Sequence, residues 1–247
     1  SKLSVLTQIL MVMIRYPPGS GLEFLRLVEI PTRYPSYFSG LADEIRFFIA
    51  QLSICNGNLE VFELIIDQDP QFLLQALPLT ALIVNCPTLF HLVVYFKQTH
   101  FMPFFMDTVP EIATSVIDGN ISPFYLAVTL QHIEIIKAFE SSGITFEQKI
   151  FYEMKNQNAL QYAFSRSLPV SFEYFSSKID RNEALGYIFS IFHSEENILA
   201  HALKKHLVHD FAMARLLVDK FGFNLTSTRY CLGSLVGTAV IFVKPEH

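Results

Sequence analysis

The residues best suited to chemistry cluster near the C-terminal end. The stretch "HSEENILAHALKKHLVHD" holds His193, Glu195, Glu196, His201, His206, His209 and Asp210. Imidazoles and carboxylates are the usual zinc ligands and general acid–base groups. His206 and Asp210, four residues apart, would share one helix face as a metal pair or an acid–base couple. The His-Glu-x-x-His spacing of zinc proteases is absent. Cys55, Cys86 and Cys231 are potential nucleophiles, which would need a His brought close to one thiol, but none has a local catalytic signature, and small apolar packing residues are the expectation. The segment "YPPGSG" has no following Lys-Ser/Thr, so it is no phosphate loop. "LGSLVG", Leu232 to Gly237, lacks the Gly-x-Ser-x-Gly spacing of a nucleophile elbow.

Chemistry of this kind needs elements that hold the groups together, and the pattern of the chain is one of repetition. Four segments align: "TLFHLVVYFKQTHFMPFFM" from Thr88, "SPFYLAVTLQHIEIIKAFE" from Ser122, "NALQYAFSRSLPVSFEYFS" from Asn158 and "NILAHALKKHLVHDFAMARLL" from Asn197. Each opens on Thr, Ser or Asn, whose side chains accept a backbone N–H and start helices. The best-preserved unit runs from Ser122 to Gly143. Pro123 sits where the missing N–H costs nothing. Phe124, Ala127 and Val128 recur at helical spacing, Gln131 and His132 make a turn, and Ile135, Ile136 and Phe139 form a second apolar face ended by Gly143. In this register His201 falls on a first helix and His206 in a turn, which separates the two candidate ligands.

"SPFYLAVTLQHIEIIKAFESSG" resembles the ankyrin repeat, with its Thr-Pro-Leu-His type opening and Gly-His type turn. "TLFHLVV" keeps the His at His91, and "ICNGNLEVFELIID" resembles a turn and second helix with Gly57 at the turn glycine. "ARLLVDKFGFNL" resembles the end of a later copy, with one extra residue before Gly222. The departures are several. Lys97, Gln131, Ser167 and His206 stand where the turn glycine is usual. Pro103 and Pro169 fall near or inside second helices, and segments 68–87 and 176–196 are long or irregular. Tetratricopeptide repeats have a similar period, but their Trp- and Tyr-based signature is missing. The resemblance implies an all-α, ankyrin-like helical-repeat solenoid of about five to six helix pairs. Its parts would be a divergent N-terminal helical cap over 1–45, repeats over 46–226, and a C-terminal cap or tail over 227–247. Divergent arrays of this kind occur in host-directed bacterial or viral effectors, for which secretion into a host cell would follow.

Composition bounds the function. The net charge of −5 and a pI near 5.9 argue against a nucleic-acid binder. Three scattered cysteines suit a reducing compartment. The apolar start "SKLSVLTQILMVMIRY" is interrupted by Thr7 and Gln8 and lacks a small-residue cleavage site, so neither a signal peptide nor stable membrane insertion is expected. The expectation is an intracellular, cytoplasmic chain. With 51% apolar residues, 17% charged ones and a mean hydropathy of +0.35, either the core is large or apolar surface awaits a partner.

The resemblance further implies that the fifth, eighth and ninth positions of each unit escape the core and line a concave face. These positions are Leu52, Cys55 and Asn56; Leu92, Tyr95 and Phe96; Leu126, Thr129 and Leu130; Tyr162, Ser165 and Arg166; His201, Lys204 and Lys205. Among them Leu92, Tyr95, Phe96, Leu126, Leu130, Tyr162, Arg166, Lys204 and Lys205 are the expected contacts to a partner protein. The loops 107–120, 144–157 and 180–196 would assist. The expected function is therefore non-catalytic protein binding, with no cofactor and no metal. A diverged hydrolase or transferase, or a substrate-presenting domain of a larger enzyme, is the alternative; association with a membrane surface through the N-terminal apolar helix is a third.

Overall fold

The computed structural model describes residues 43–66, 73, 86–115, 121–147, 150–152, 155–194, 198–199, 201–202 and 212–223. These residues are mostly helical, with one short hairpin. The expected N-terminal cap, apart from the start of a helix at Asp43, and the expected tail both lie outside them. The chain divides into two compact units, Ser1–Leu126 and Ala127–His247.

In the first unit α1 (Asp43–Cys55) and α2 (Leu59–Ile66) form one helical pair. The next pair is α3 (Leu89–Tyr95) followed by a 3-10 turn (Thr99–Phe101) that leads into α4 (Met102–Thr108). First helix packs on first helix, α1 against α3. The second helices meet through phenylalanines: Phe62 of α2 lies with its ring centroid 5.3, 5.5 and 5.4 Å from those of Phe101, Phe104 and Phe105, and Phe90 stacks on Phe105 at 4.7 Å. Without Trp, the packing bulk falls to Phe, each fully buried ring contributing about 2–3 kcal/mol. Pro103 is the second residue of α4, where its lack of an N–H is harmless.

Helix α5 (Pro123–Thr129) begins in the first unit and ends in the second. The second unit continues with α6 (Ile133–Ser141), a hairpin of β1 (Ile150–Tyr152) and β2 (Lys155–Gln157), then α7 (Ala159–Ser165), α8 (Pro169–Ser176), α9 (Arg181–Phe192) and α10 (Ala212–Phe221). The strands are antiparallel, pairing Ile150 with Gln157 and Tyr152 with Lys155. Helix α8 packs on α7, α6 and α10, and its Phe172 meets Phe164 and Phe221 at 5.3 and 5.7 Å. Glu140 of α6 binds Lys178 just past α8, and Glu173 of α8 binds Lys220 of α10, so ion pairs join successive second helices. Pro169 is the first residue of α8 and starts that helix.

One expected loop is a helix. Residues 180–196 contain α9, which packs on α7. Asp180 caps it by accepting the N–H groups of Asn182 and Glu183 at 2.7 and 3.1 Å, and Ala184 and Ile188 bury one face. The expected loop 144–157 holds the hairpin, and 107–120 includes a 3-10 turn over Pro110–Ala113.

Four of the helix-to-helix turns among the described residues share one geometry. Gly57, Lys97, Gln131 and Ser167 have φ of 70°, 56°, 56° and 57°. Each donates its N–H to the carbonyl three residues back, and the following residue donates to the carbonyl five back: Gly57 to Ile54 and Asn58 to Ser53, Lys97 to Val94 and Gln98 to Val93, Gln131 to Val128 and His132 to Ala127, Ser167 to Phe164 and Leu168 to Ala163. This is the Schellman closure of a helix, which favours glycine because a Cβ is strained at positive φ. Three of the four turns keep it without glycine. Gly143 ends α6 with the same pair of bonds, to Glu140 and from Ile144 to Phe139. At Gly222 the bonds reach back four and six residues, to Val218 and Leu217, so the extra residue read from the sequence is taken up as a wider last turn.

Candidate functional site

Three of the expected contact residues lie inside the fold. Leu92, Leu126 and Tyr162 are 0%, 7% and 5% exposed, against the expectation that they escape the core. The physical reason is the brevity of α3, α5 and α7, of 7 residues each. In α3 the six residues from Leu89 to Val94 are all buried, so this helix has no outward face except its C-terminal end.

The exposed part of the row sits at those ends. In the first unit Tyr95 closes α3 with 44% exposure, its ring edge-on to Phe96 at 5.3 Å, and exposed Lys97 follows in the turn. Phe96 is half-buried, with its N–H bonded to the Leu92 carbonyl. Leu52, Cys55 and Asn56, at the end of neighbouring α1, are half-buried as well.

In the second unit the row is polar. The Thr129 hydroxyl and the Tyr162 phenol are 3.1 Å apart, joining the ends of α5 and α7. Exposed Arg166 caps α7 and lies 5.7 Å from the centre of the Tyr162 ring, a cation–π distance. Ser165 donates to Gln157 Oε1 of β2 at 3.2 Å, and His201 Nε2 donates to the Ser165 carbonyl at 2.9 Å. Leu130 is half-buried. Lys204 and Lys205 lie outside the described residues.

The first turns of α3, α5 and α7 are built by their opening residues. Thr88 Oγ1 accepts the His91 N–H at 3.4 Å, and Ser122 Oγ accepts that of Tyr125 at 3.4 Å. Asn158 and Gln161 make a reciprocal box, with bonds of 2.8 and 3.0 Å. The His91 ring bridges two segments. Its Nε2 donates to the Ile121 carbonyl at 2.7 Å, which leaves Nδ1 to accept from the Thr88 hydroxyl at 2.8 Å. Burial drives its pKa down to about 4, only partly offset by the Ile121 bond, so the ring is neutral at pH 7. Gln161 holds the matching place in the second unit, where its Nε2 donates to the Tyr187 carbonyl and the Ser190 hydroxyl at 3.1 and 2.8 Å.

Of the groups suited to chemistry, Cys55, Cys86, His193 and His201 are among the described residues. Burial raises the Cys55 thiol to about 11, and burial with the neighbouring Cys55 raises Cys86 to about 12, so both are protonated and weakly nucleophilic at neutral pH. His201 lies 5.7 and 4.8 Å from the Phe164 and Phe192 rings. Glu195, Glu196, His206, His209, Asp210 and Cys231 fall outside the described residues. Among the described residues no three His, Cys, Asp or Glu side chains gather as a metal set, and no helix is long and apolar enough to cross a membrane.

A cluster that the sequence reading missed joins α6 to α8. The Tyr174 phenol donates to Glu140 Oε2 at 2.6 Å, Lys178 binds the same carboxylate, and its ammonium lies 4.3 Å from the Tyr174 ring centre. These residues are 34 and 38 positions apart in sequence, so no local signal marks them. Compared with protein-family models, with curated proteins and with solved structures, the chain matches none.

Proposed function

We propose that the chain is a non-catalytic protein-binding module of the ankyrin-like helical-repeat class, recognising a partner with the C-terminal ends of its first helices and the hairpin between α6 and α7. The observation that carries this reading is the repeated turn. Its left-handed residues at 57, 97, 131 and 167 are 40, 34 and 36 positions apart (57 to 97, 97 to 131, 131 to 167) and close helices with the same bonds. A near-constant period is the mark of repeat proteins, which bind through extended surfaces built from neighbouring units. Exposed Tyr95, with half-buried Phe96 edge-on to its ring, is the aromatic anchor of this surface, since aromatic rings are enriched among the residues that carry binding energy.

The test uses the full chain immobilised and exposed to a cell lysate. A Tyr95→Ala/Phe96→Ala double variant loses the captured proteins while keeping the helical circular-dichroism spectrum. Capture unchanged from the wild type would remove these residues from the binding surface.

A further inference from the structure

The turns of shared geometry differ in one covalent respect. The residue pairs at their centres are Asn56–Gly57, Phe96–Lys97, Leu130–Gln131 and Arg166–Ser167, and the first is the single Asn-Gly pair of the chain. Glycine has no Cβ to hinder its own amide nitrogen, so that nitrogen can reach the side-chain carbonyl carbon of a preceding asparagine. Asn56 is half-buried at the end of α1, and among the described residues its side-chain amide has no hydrogen-bond partner. Asn58 and Asn158, in contrast, commit their Oδ1 atoms to the N–H groups of Val61 and Gln161, at 3.0 and 2.8 Å. The turn itself holds the reaction back. Gly57 donates its N–H to the Ile54 carbonyl at 3.1 Å, and Asn58 donates to that of Ser53 at 2.7 Å. A further clasp comes from the next helical pair, where His100 Nε2 donates to the Gly57 carbonyl at 3.0 Å. The Gly57 nitrogen is freed only when these bonds open, a local event well short of global unfolding.

We infer that Asn56 is a site of spontaneous covalent modification, deamidated through a succinimide at a rate set by opening of the Gly57 turn. The Gly57 nitrogen loses its proton to solvent base and bonds to Asn56 Cγ, and the side-chain nitrogen leaves as ammonia. Water then opens the five-membered ring at either carbonyl, giving aspartate or isoaspartate at position 56. The sum is a water consumed and an ammonia released, with no oxidant or reductant. Both products weaken the turn. Aspartate puts a negative charge at the C-terminus of α1, where the helix dipole disfavours it. Isoaspartate adds a methylene to the main chain spanned by the Gly57-to-Ile54 and Asn58-to-Ser53 bonds, which breaks their register. The step runs one way, so the α1–α2 junction loosens as the molecule ages. This chemistry does not depend on what the chain binds.

The experiment incubates the full chain in buffers of rising pH and follows each asparagine by peptide mass spectrometry, with fragmentation that separates aspartate from isoaspartate. Asn56 is expected to convert faster than any other asparagine of the chain, with isoaspartate in the mixture and a rate that rises with pH. His100→Ala removes one bond from the turn and is expected to speed the conversion about fivefold. Sub-denaturing urea is expected to speed it without any substitution, and circular dichroism checks that the chain is folded in each case. Asn56→Gln cannot form the five-membered ring, so its denaturant midpoint is expected to hold during an incubation in which the wild-type midpoint falls. Conversion of Asn56 no faster than that of Asn58 or Asn158 overturns the site. A rate that neither His100→Ala nor urea changes overturns the gating by the turn. An equal fall of the midpoint in Asn56→Gln and wild type overturns the loosening of the junction.

Discussion

The openings of α3 and α7 solve the same problem with different side chains. Each must hold a first turn closed and tie it to a segment about 30 residues further on. In the first unit His91 does this, bound by Thr88 and reaching the Ile121 carbonyl. In the second, Gln161 closes a box with Asn158 and reaches Tyr187 and Ser190. The geometry is shared, but an imidazole can take up a proton and an amide cannot. The chain therefore carries one tie that depends on pH and one that does not.

The largest way to break the comparison is His91→Ala. It opens a cavity and leaves the buried Thr88 hydroxyl and the Ile121 carbonyl without the ring, costing about 3–4 kcal/mol in denaturant melts at pH 7. Acid is the next largest. The unfolded imidazole, with its ordinary pKa of 6.5, binds a proton before the folded one, whose pKa is about 4. His91 thus stabilises the fold fully above pH 6.5, and this contribution of about 3 kcal/mol is lost as pH falls from there to about 4. His91→Gln, which installs the chemistry of the second unit, should remove that part of the pH dependence; a melt series with the same acid slope in both proteins would sink the assignment.

Gln161→Ala should cost about 2 kcal/mol, because the reciprocal cap and both bonds toward α9 go together, and the loss should be the same at pH 7 and pH 5. The turns extend the contrast at smaller scale. Ser167 combines positive φ with a buried hydroxyl that has no hydrogen-bond partner, so Ser167→Gly should raise stability by about 1 kcal/mol. Gly57→Ala should act in the opposite direction, since a Cβ there would come within 3.1 Å of Gln98 Oε1. The smallest effect is expected at the Lys220–Glu173 pair, where both side chains are about half exposed and Lys220→Ala should change the midpoint by less than about 0.5 kcal/mol.

Legibility in the sequence follows how local the signal is. The Ser122–Gly143 unit could be read because each of its signals acts within a few residues: a capping Ser, a first-turn Pro, a positive-φ Gly and apolar spacing. The Lys97, Gln131 and Ser167 turns read as departures because these residue types carry no preference for left-handed backbone, although their bonds keep the turn. Helix α9 has a local signal too, a capping Asp180 with Glu183 three residues on and apolar Ala184 and Ile188 four apart. The burial of Leu92 and Tyr162 was not legible in this way, since nothing in a short, nearly all-apolar helix says which side faces outward. The polar partner of Tyr162 is Thr129, 33 positions earlier, which only the fold brings to it.

The shared turn also has a consequence for how such a chain can vary. One backbone shape carries an exposed Lys97, a Gln131 whose side chain accepts the Val170 N–H at 2.8 Å, and a buried Ser167. The turn behaves as a socket whose form is set by main-chain bonds, into which different side chains plug for a strain of about 1–2 kcal/mol each. Successive sockets can then drift independently, one becoming a surface charge and the next a clasp to its neighbour, while the spacing of the turns is preserved.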